Sequence, residues 1–506
     1  MVGEQIVAVG SVDDLARRFP DAERVDLDGV VVPGFYDAHI HPSIVAEDLL
    51  HVDVSAAVVR DLSELKATLR RAAEQTRPGE WVRASRYDDA RMPDGRVLDR
   101  ADLDEVSTDH PVLVVHVAGH WGVINSRGLE RGGLGDESTP PPGGDLGRDA
   151  NGHLNGVLYE RALFRFAYPA VAGGPTIIPP TSLEQRLVGL ERALEMFHAA
   201  GLTSVCDAMV GPDDLRLYQE AERRGLLTAR VNLLVAYDHF DALRRLGLSS
   251  GFGSQRLRFN GVKAFVDGAL GGRTCLLDRP FEGSTSCGMQ TTSTDDLREL
   301  VMDVHTAGSR LAVHANGDRA IALLLDQIEA ADAAYPRPDA HHRIEHCSIV
   351  TPDILRRMKR LGTIAVPFGS YVHYHGRRLL EWYGAERVER MFAVRSMLDG
   401  GVTVAGSSDY PCGPYEPLLA LQSCVTREGW DGAVVGPSQR ITAREALDLY
   451  TTGAAHASGE SHIKGRLAPG YLADFVVLAA NPLDVDPHQL SAVHVLATYV
   501  GGTRVY

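Results

Sequence analysis

Cysteine is scarce and scattered in this chain. The six cysteines, Cys206, Cys275, Cys287, Cys347, Cys412 and Cys424, include no Cys-x-x-Cys pair. They form no disulfide framework and no cysteine-held zinc motif, so reduced thiols in a cytoplasmic protein are expected. Positive charge is also short: 51 Lys and Arg stand against 67 Asp and Glu, a net charge of -16. Nucleic-acid partners are not expected, because phosphate contacts need clustered Lys and Arg. No apolar run approaches the length of a membrane span, and the opening Met-Val-Gly-Glu-Gln lacks a basic n-region and an apolar h-region. Neither membrane insertion nor secretion is expected. No Gly-x-Gly-x-x-Gly fingerprint follows a predicted strand, which argues against a doubly wound, dinucleotide-binding sheet.

What is present is ordinary in bulk and pointed in detail. A chain of 506 residues, 44% hydrophobic and 23% charged, is that of a globular protein with one large catalytic domain and a smaller one. The stretch that organises it is Val30-Val31-Val32-Pro33-Gly34-Phe35-Tyr36-Asp37-Ala38-His39-Ile40-His41-Pro42. A β-branched run predicts a buried strand. Alternate side chains of a strand share a face, so Asp37, His39 and His41 point the same way. Two imidazoles at one strand end can grip a divalent metal, although a core histidine beside a surface one gives the same spelling.

From about residue 182 the pattern becomes an alternation of strand and helix. Strands are predicted over 203–207, 231–236, 261–266, 310–314, 343–347, 363–367 and 403–405, separated by helical segments. With the strand at Val30, the count reaches that of a (β/α)8 TIM-type barrel, an α/β fold. The barrel is expected over 31–455, with a long irregular insertion at about 50–180 that shapes the mouth of a site. Residues 1–30 and 456–506 read as short strands that pair into one small β-sandwich domain, bringing both chain ends together.

Functional groups in such barrels stand at the C-terminal ends of the strands. There the sequence puts His39 and His41 (first strand), Lys263 and Asp267 (fourth), His314 (fifth), His346 (sixth) and Asp409 (eighth). Neutral imidazoles suit zinc or a similar ion, and a metal lowers the pKa of bound water from about 15.7 towards 7. Asp409 suits a ligand that also takes the proton of that water. Lys263 has two readings of equal weight: a neutral amine that adds carbon dioxide and bridges two metals as a carbamate, or an ordinary lysine paired with Asp267.

These stretches, with Val262–Gly271, His314-Ala315-Asn316-Gly317-Asp318, Arg343-Ile344-Glu345-His346, Gly406-Ser407-Ser408-Asp409 and the tail Gly465-Arg466-Leu467-Ala468-Pro469-Gly470, resemble the amidohydrolase superfamily. The branch they most resemble is amidohydrolase family 3, which includes N-substituted formamide deformylases. The resemblance runs over nearly the whole chain. It implies a metal-dependent hydrolase that cleaves a C–N bond of a small amide by attack of metal-bound hydroxide. It also implies one metal on His39 and His41, a second on His314 and His346, Lys263 bridging as the carbamate, and Asp409 as ligand and general base. Two zinc ions are expected, with manganese or iron as alternatives. The same site could serve an ester, lactone or carbamate, and a non-catalytic binding protein on this scaffold is a rival that has no need of Asp409.

Substrate contacts are also read here. The resemblance puts His120 near the pocket, where a buried loop histidine is the alternative. Arg273 follows the fourth strand and suits a carboxylate or carbonyl, or is a solvated loop residue. Tyr371, His373 and His375 follow the seventh strand and are expected at the mouth, and Glu160 is a candidate buried acid. The partner expected is a small-molecule substrate, and a homodimer stays open. Members of the family usually carry a further strand or so before Glu4, so either the small domain is trimmed or the start is misplaced.

Overall fold

The computed structural model describes residues 1–93, 96–168 and 177–506. The predicted insertion therefore includes ten positions, 94–95 and 169–176, that lie outside the described residues. The barrel strands are β1 (Phe35–Ile40), β2 (Leu202–Val210), β3 (Arg230–Ala236), β4 (Leu257–Phe265), β5 (Leu311–Ala315), β6 (Arg343–His346), β7 (Ile364–Val366) and β8 (Thr403–Val404). They form one 8-stranded sheet in sequential order, with every neighbouring pair parallel. The ends of that sheet meet. The Ala38 N–H donates to Gly406 O (3.1 Å), and the Asp409 N–H donates to His39 O (2.8 Å). The sheet is thus a TIM-type barrel, closed by the segment that carries Asp409.

Packing on both faces explains the strand composition. β1, β2 and β3 are buried at every position, and strands covered on both sides read as continuous apolar runs rather than alternations. The helix Leu183–Ala199 shows how the outer layer attaches. Ser182 and Gln185 form its capping box, and Leu187, Leu190, Leu194 and Phe197 are its buried stripe. Gly189 lies so close to Ala46 O that a Cβ would stand 1.9 Å from it. Only glycine lets this helix seat on Pro42–Asp48, the helix that leaves the His-x-His strand.

The insertion differs from the irregular segment expected of it. Val52–Asp53, Val82–Tyr87, Val112–His116, Trp121–Ile124, Leu154–Glu160 and Gly144–Arg148 form, in that spatial order, a 6-stranded sheet. Its first three strands are parallel and the rest antiparallel. It has its own core, with Leu65, Leu69, Tyr87, Leu103, Val112 and Val114 fully buried or nearly so. The strands are short and their partners distant in sequence, so local periodicity underreports them.

Both chain ends meet in an antiparallel 4-stranded sheet of Val30–Pro33, Phe475–Leu478, Val495–Val500 and Thr503–Arg504. Arg230, at the foot of β3, clamps it: its guanidinium donates to Asp474 (2.6 and 2.9 Å) and to Glu4 (2.7 Å). No helix among the described residues is long and apolar enough to cross a membrane.

Candidate metal centre

The site is built at the C-terminal ends of the barrel strands. His39 lies in β1 and His41 caps the helix that follows, so both rings face the barrel mouth with centroids 5.3 Å apart. The His39 Nδ1–H donates to the Glu345 carboxylate. Glu345 in turn accepts from Arg343 Nε (2.7 Å) and Nη2 (2.8 Å), and the same Nη2 reaches Ala38 O (2.6 Å). Burial raises the Glu345 carboxyl, but the neighbouring Arg343 and His39 outweigh it and hold it down at about 2. A carboxylate there accepts only, so the His39 proton sits on Nδ1 and the Nε2 lone pair is free. That Nε2 faces Asp409 Oδ1 at 3.3 Å and Lys263 Nζ at 3.4 Å.

His41 Nε2 lies 2.9 Å from the same Asp409 oxygen. Its Nδ1 is buried without a hydrogen-bond partner and faces Asp207 Oδ1, also unpartnered, at 4.0 Å. Asp207 is fixed through its other oxygen by Tyr218 (2.5 Å) and the Ser43 N–H (3.2 Å). On β5, His314 Nε2 lies 3.0 Å from Gly268 O and 3.0 Å from Asn316 Nδ2; the tautomer that donates to the carbonyl leaves Nδ1 as its lone pair. On β6, His346 Nδ1 is buried and unpartnered, and its ring stacks on Phe368 (4.3 Å) and lies 4.5 Å from His314. Burial pushes the imidazoles of His41, His314 and His346 down, the last two well below the usual range, so they stand neutral. Burial raises Asp409, but His346, His39 and His41 outweigh it and hold the carboxyl well below its usual range.

Lys263 is buried, and burial lowers its ammonium to about 8. Asp267 does not pair with it. The Asp267 carboxylate accepts the backbone N–H groups of Leu276 (2.8 Å), Gly317 (2.9 Å) and Asn316 (3.0 Å). Among the described residues, Lys263 has no ion pair with any carboxylate.

A cavity of about 40 Å³ is lined by His39, His41, Lys263, His314, His346 and Asp409, with His120 at its side. The His120 Nδ1–H donates to buried Glu160 (2.7 Å), which also accepts the Thr274 hydroxyl (2.9 Å). The Glu160 N–H donates to His120 O (2.7 Å), so the pair is locked through backbone and side chain, 5.1 Å from the His314 ring. Arg273 is exposed and Tyr371 lies behind Phe368, stacked on it at 3.7 Å. His373 sits on the helix Tyr371–His375, its N–H donating to the Ser423 hydroxyl (3.1 Å). None of these three lines the cavity.

Neutral imidazoles and a carboxylate are the donor set of zinc-like ions. The ligand atoms of His39, His41 and Asp409 lie within 4.8 Å of one another. The unpartnered nitrogen of His346 marks a polar demand that the protein leaves unmet. The residues fit a divalent ion. Sequence reasoning passed over Arg343, Glu345 and Asp207 as functional residues. The signal available was two opposite charges two residues apart in a strand that the barrel buries.

Residues 23–506 match the Amidohydrolase family. The chain belongs to that family. This amidohydrolase is 32% identical over 522 aligned residues to the N-substituted formamide deformylase of Arthrobacter pascens, covering 100% of this chain and 94% of the relative. It is 29% identical to the protein LONG AFTER FAR-RED 3 of Arabidopsis thaliana, over 99% of this chain and 87% of that one. Among solved structures it resembles an uncharacterized metal-dependent hydrolase from Pyrococcus horikoshii, with a TM-score of 0.77, 26% identity, and coverage of 96% and 94% of the two chains.

A second group of three possible ligands, Asp88, Asp89 and His116, lies within the insertion. It is satisfied internally. His116 Nδ1 accepts the Ala118 N–H (3.1 Å), so its Nε2–H donates to Asp89 (3.1 Å). Asp88 takes the Tyr374 hydroxyl (2.6 Å) and the Ala90 N–H (3.1 Å). In this amidohydrolase the group is a strut between the insertion and the helix that follows β7.

Proposed function

We propose that this amidohydrolase hydrolyses the C–N bond of a small amide, an N-substituted formamide or related carboxamide. The observation that carries this reading is the convergence of His39, His41, Lys263, His314, His346 and Asp409 on one buried cavity. The Arthrobacter pascens relative supports the substrate class by its name.

In this reading His39 and His41 hold one divalent ion and His314 and His346 a second, two zinc ions or their manganese or iron equivalents. When bound, the ions supply water acidified towards neutral pH and a Lewis acid for the carbonyl oxygen. Lys263 would be a further ligand to the ions as a carbamate: its neutral amine would form an N–C bond to carbon dioxide, the nitrogen losing a proton to solvent. Burial favours the neutral amine that this addition needs. Asp409, held ionised, accepts a proton at the free carboxylate oxygen and returns it to the leaving amine. His120, oriented by Glu160, turns Nε2 towards the cavity and offers the substrate a hydrogen bond.

The test is Asp409→Asn assayed against amides, esters and lactones. Amide turnover is expected to fall by roughly two to four orders of magnitude. Unchanged turnover would remove the proposed role of Asp409. An ester or lactone turned over far faster than any amide would move the substrate class.

A further inference from the structure

The cavity at the metal centre is too small to hold a substrate, and a larger space adjoins it. Ile44, Tyr168 and Met209 line both that 40 Å³ space and a chamber of about 520 Å³ between the insertion and the barrel. The chamber has the size of a small-molecule site. Leu113, Val115 and Phe166 supply its wall on the insertion side, and Ile44 and Met209 its wall on the barrel side.

Its charged residues are paired with one another. Glu47 lies 3.6 Å from Arg83 and 3.1 Å from Arg186, which also pairs with Asp214. Asp48 accepts the Ser85 hydroxyl at 2.8 Å and lies 3.5 Å from His51. At the rim Arg216 pairs with Asp213 at 2.7 Å. An anionic ligand would find no free counter-charge here and would lose its hydration uncompensated. Three buried polar atoms have no hydrogen-bond partner: Ser43 Oγ, in a side chain 2% exposed, Nε2 of His239, and Nε of Arg186, which faces Glu47 at 3.1 Å without a hydrogen bond. All three residues line the chamber.

We propose that this chamber is the subsite for the part of the substrate remote from the scissile bond, and that it selects a largely apolar substituent that carries no negative charge, with room for a hydrogen-bonding group. The proposal rests on the reading of the metal centre as the hydrolytic site. It deepens that reading by excluding carboxylate-bearing substrates such as N-acylated amino acids.

The test is calorimetric binding of N-alkyl methanesulfonamides, uncharged amide analogues that are not hydrolysed, to the metal-loaded enzyme. Affinity is expected to rise roughly fourfold per methylene from methyl to hexyl. The analogue that ends in a carboxylate should bind at least roughly tenfold more weakly than the hexyl compound. Val115→Trp fills the chamber from the insertion wall, away from the proposed ligands. It should flatten the chain-length series and leave the methyl analogue unchanged, whereas Val115→Ala should preserve the slope. No length dependence in the wild type, an equal slope in Val115→Trp, or preference for the carboxylate would each overturn the subsite. Hydrolysis of the matching formamides is a separate readout. Its absence alongside a normal binding series would strike the proposed reaction and leave the subsite standing.

Discussion

At the scale of single residues, the chemistry turns on which nitrogen of each histidine is free. Glu345 and Arg343, both fully buried, fix the His39 proton on Nδ1. Carboxylates behind ligating histidines raise their basicity and hold their rings. Glu345→Gln is therefore expected to weaken metal binding by roughly 10–100-fold, read by competition with a chromogenic chelator. Affinity unchanged within twofold would reduce Glu345 to a packing role. The histidines, Lys263 and Asp409 were legible in the sequence because a two-residue period and the strand-end rule place them on one mouth. Glu345 and Asp207 were not, since each acts on a histidine from a different strand and local sequence does not carry that pairing. The alternative of a Lys263–Asp267 ion pair fails for a related reason: Asp267 is spent on three backbone N–H groups.

At the scale of elements, the helix Leu183–Ala199 and the insertion each make a measurable prediction. His198, in the last turn of that helix, is buried between Leu202 O (2.9 Å) and Thr228 Oγ1 (2.8 Å), and burial lowers it to about 4. Between that value and 6.5 the unfolded chain binds a proton that the folded chain refuses. Stability is then lost as pH falls through this window, by roughly 3 kcal/mol at its foot. A His198→Gln variant should lose that part of the pH dependence in chemical-denaturation curves recorded from pH 7 to pH 4. Tyr374→Phe tests the strut: Asp88 loses its 2.6 Å donor, and a buried carboxylate oxygen left unsatisfied costs about 1–3 kcal/mol. A lower melting temperature with unchanged metal content is expected, and an unchanged melting temperature would show that the strut carries no load. The helix was readable from its leucine spacing and cap. The sheet of the insertion was not, because pairing between segments tens of residues apart leaves little periodic trace in strands this short.

At the scale of the whole molecule, a barrel closed by hydrogen bonds between β1 and the Asp409 segment gathers residues from across the sequence on one face. The β/α alternation made this fold legible before any coordinate, but Val30–Pro33, counted as the first barrel strand, instead joins the C-terminal strands in one sheet, and the barrel begins at Phe35–Ile40. The large chamber under the insertion had no signature, because its walls come from segments whose pairing into one sheet was itself unread. The central claim is that this face holds a pair of catalytic metal ions. Elemental analysis of protein purified without chelator and with bicarbonate present tests it most directly. The account predicts about two equivalents of zinc, manganese or iron per chain. A chain that carries no metal, and takes up none on titration, would contradict it.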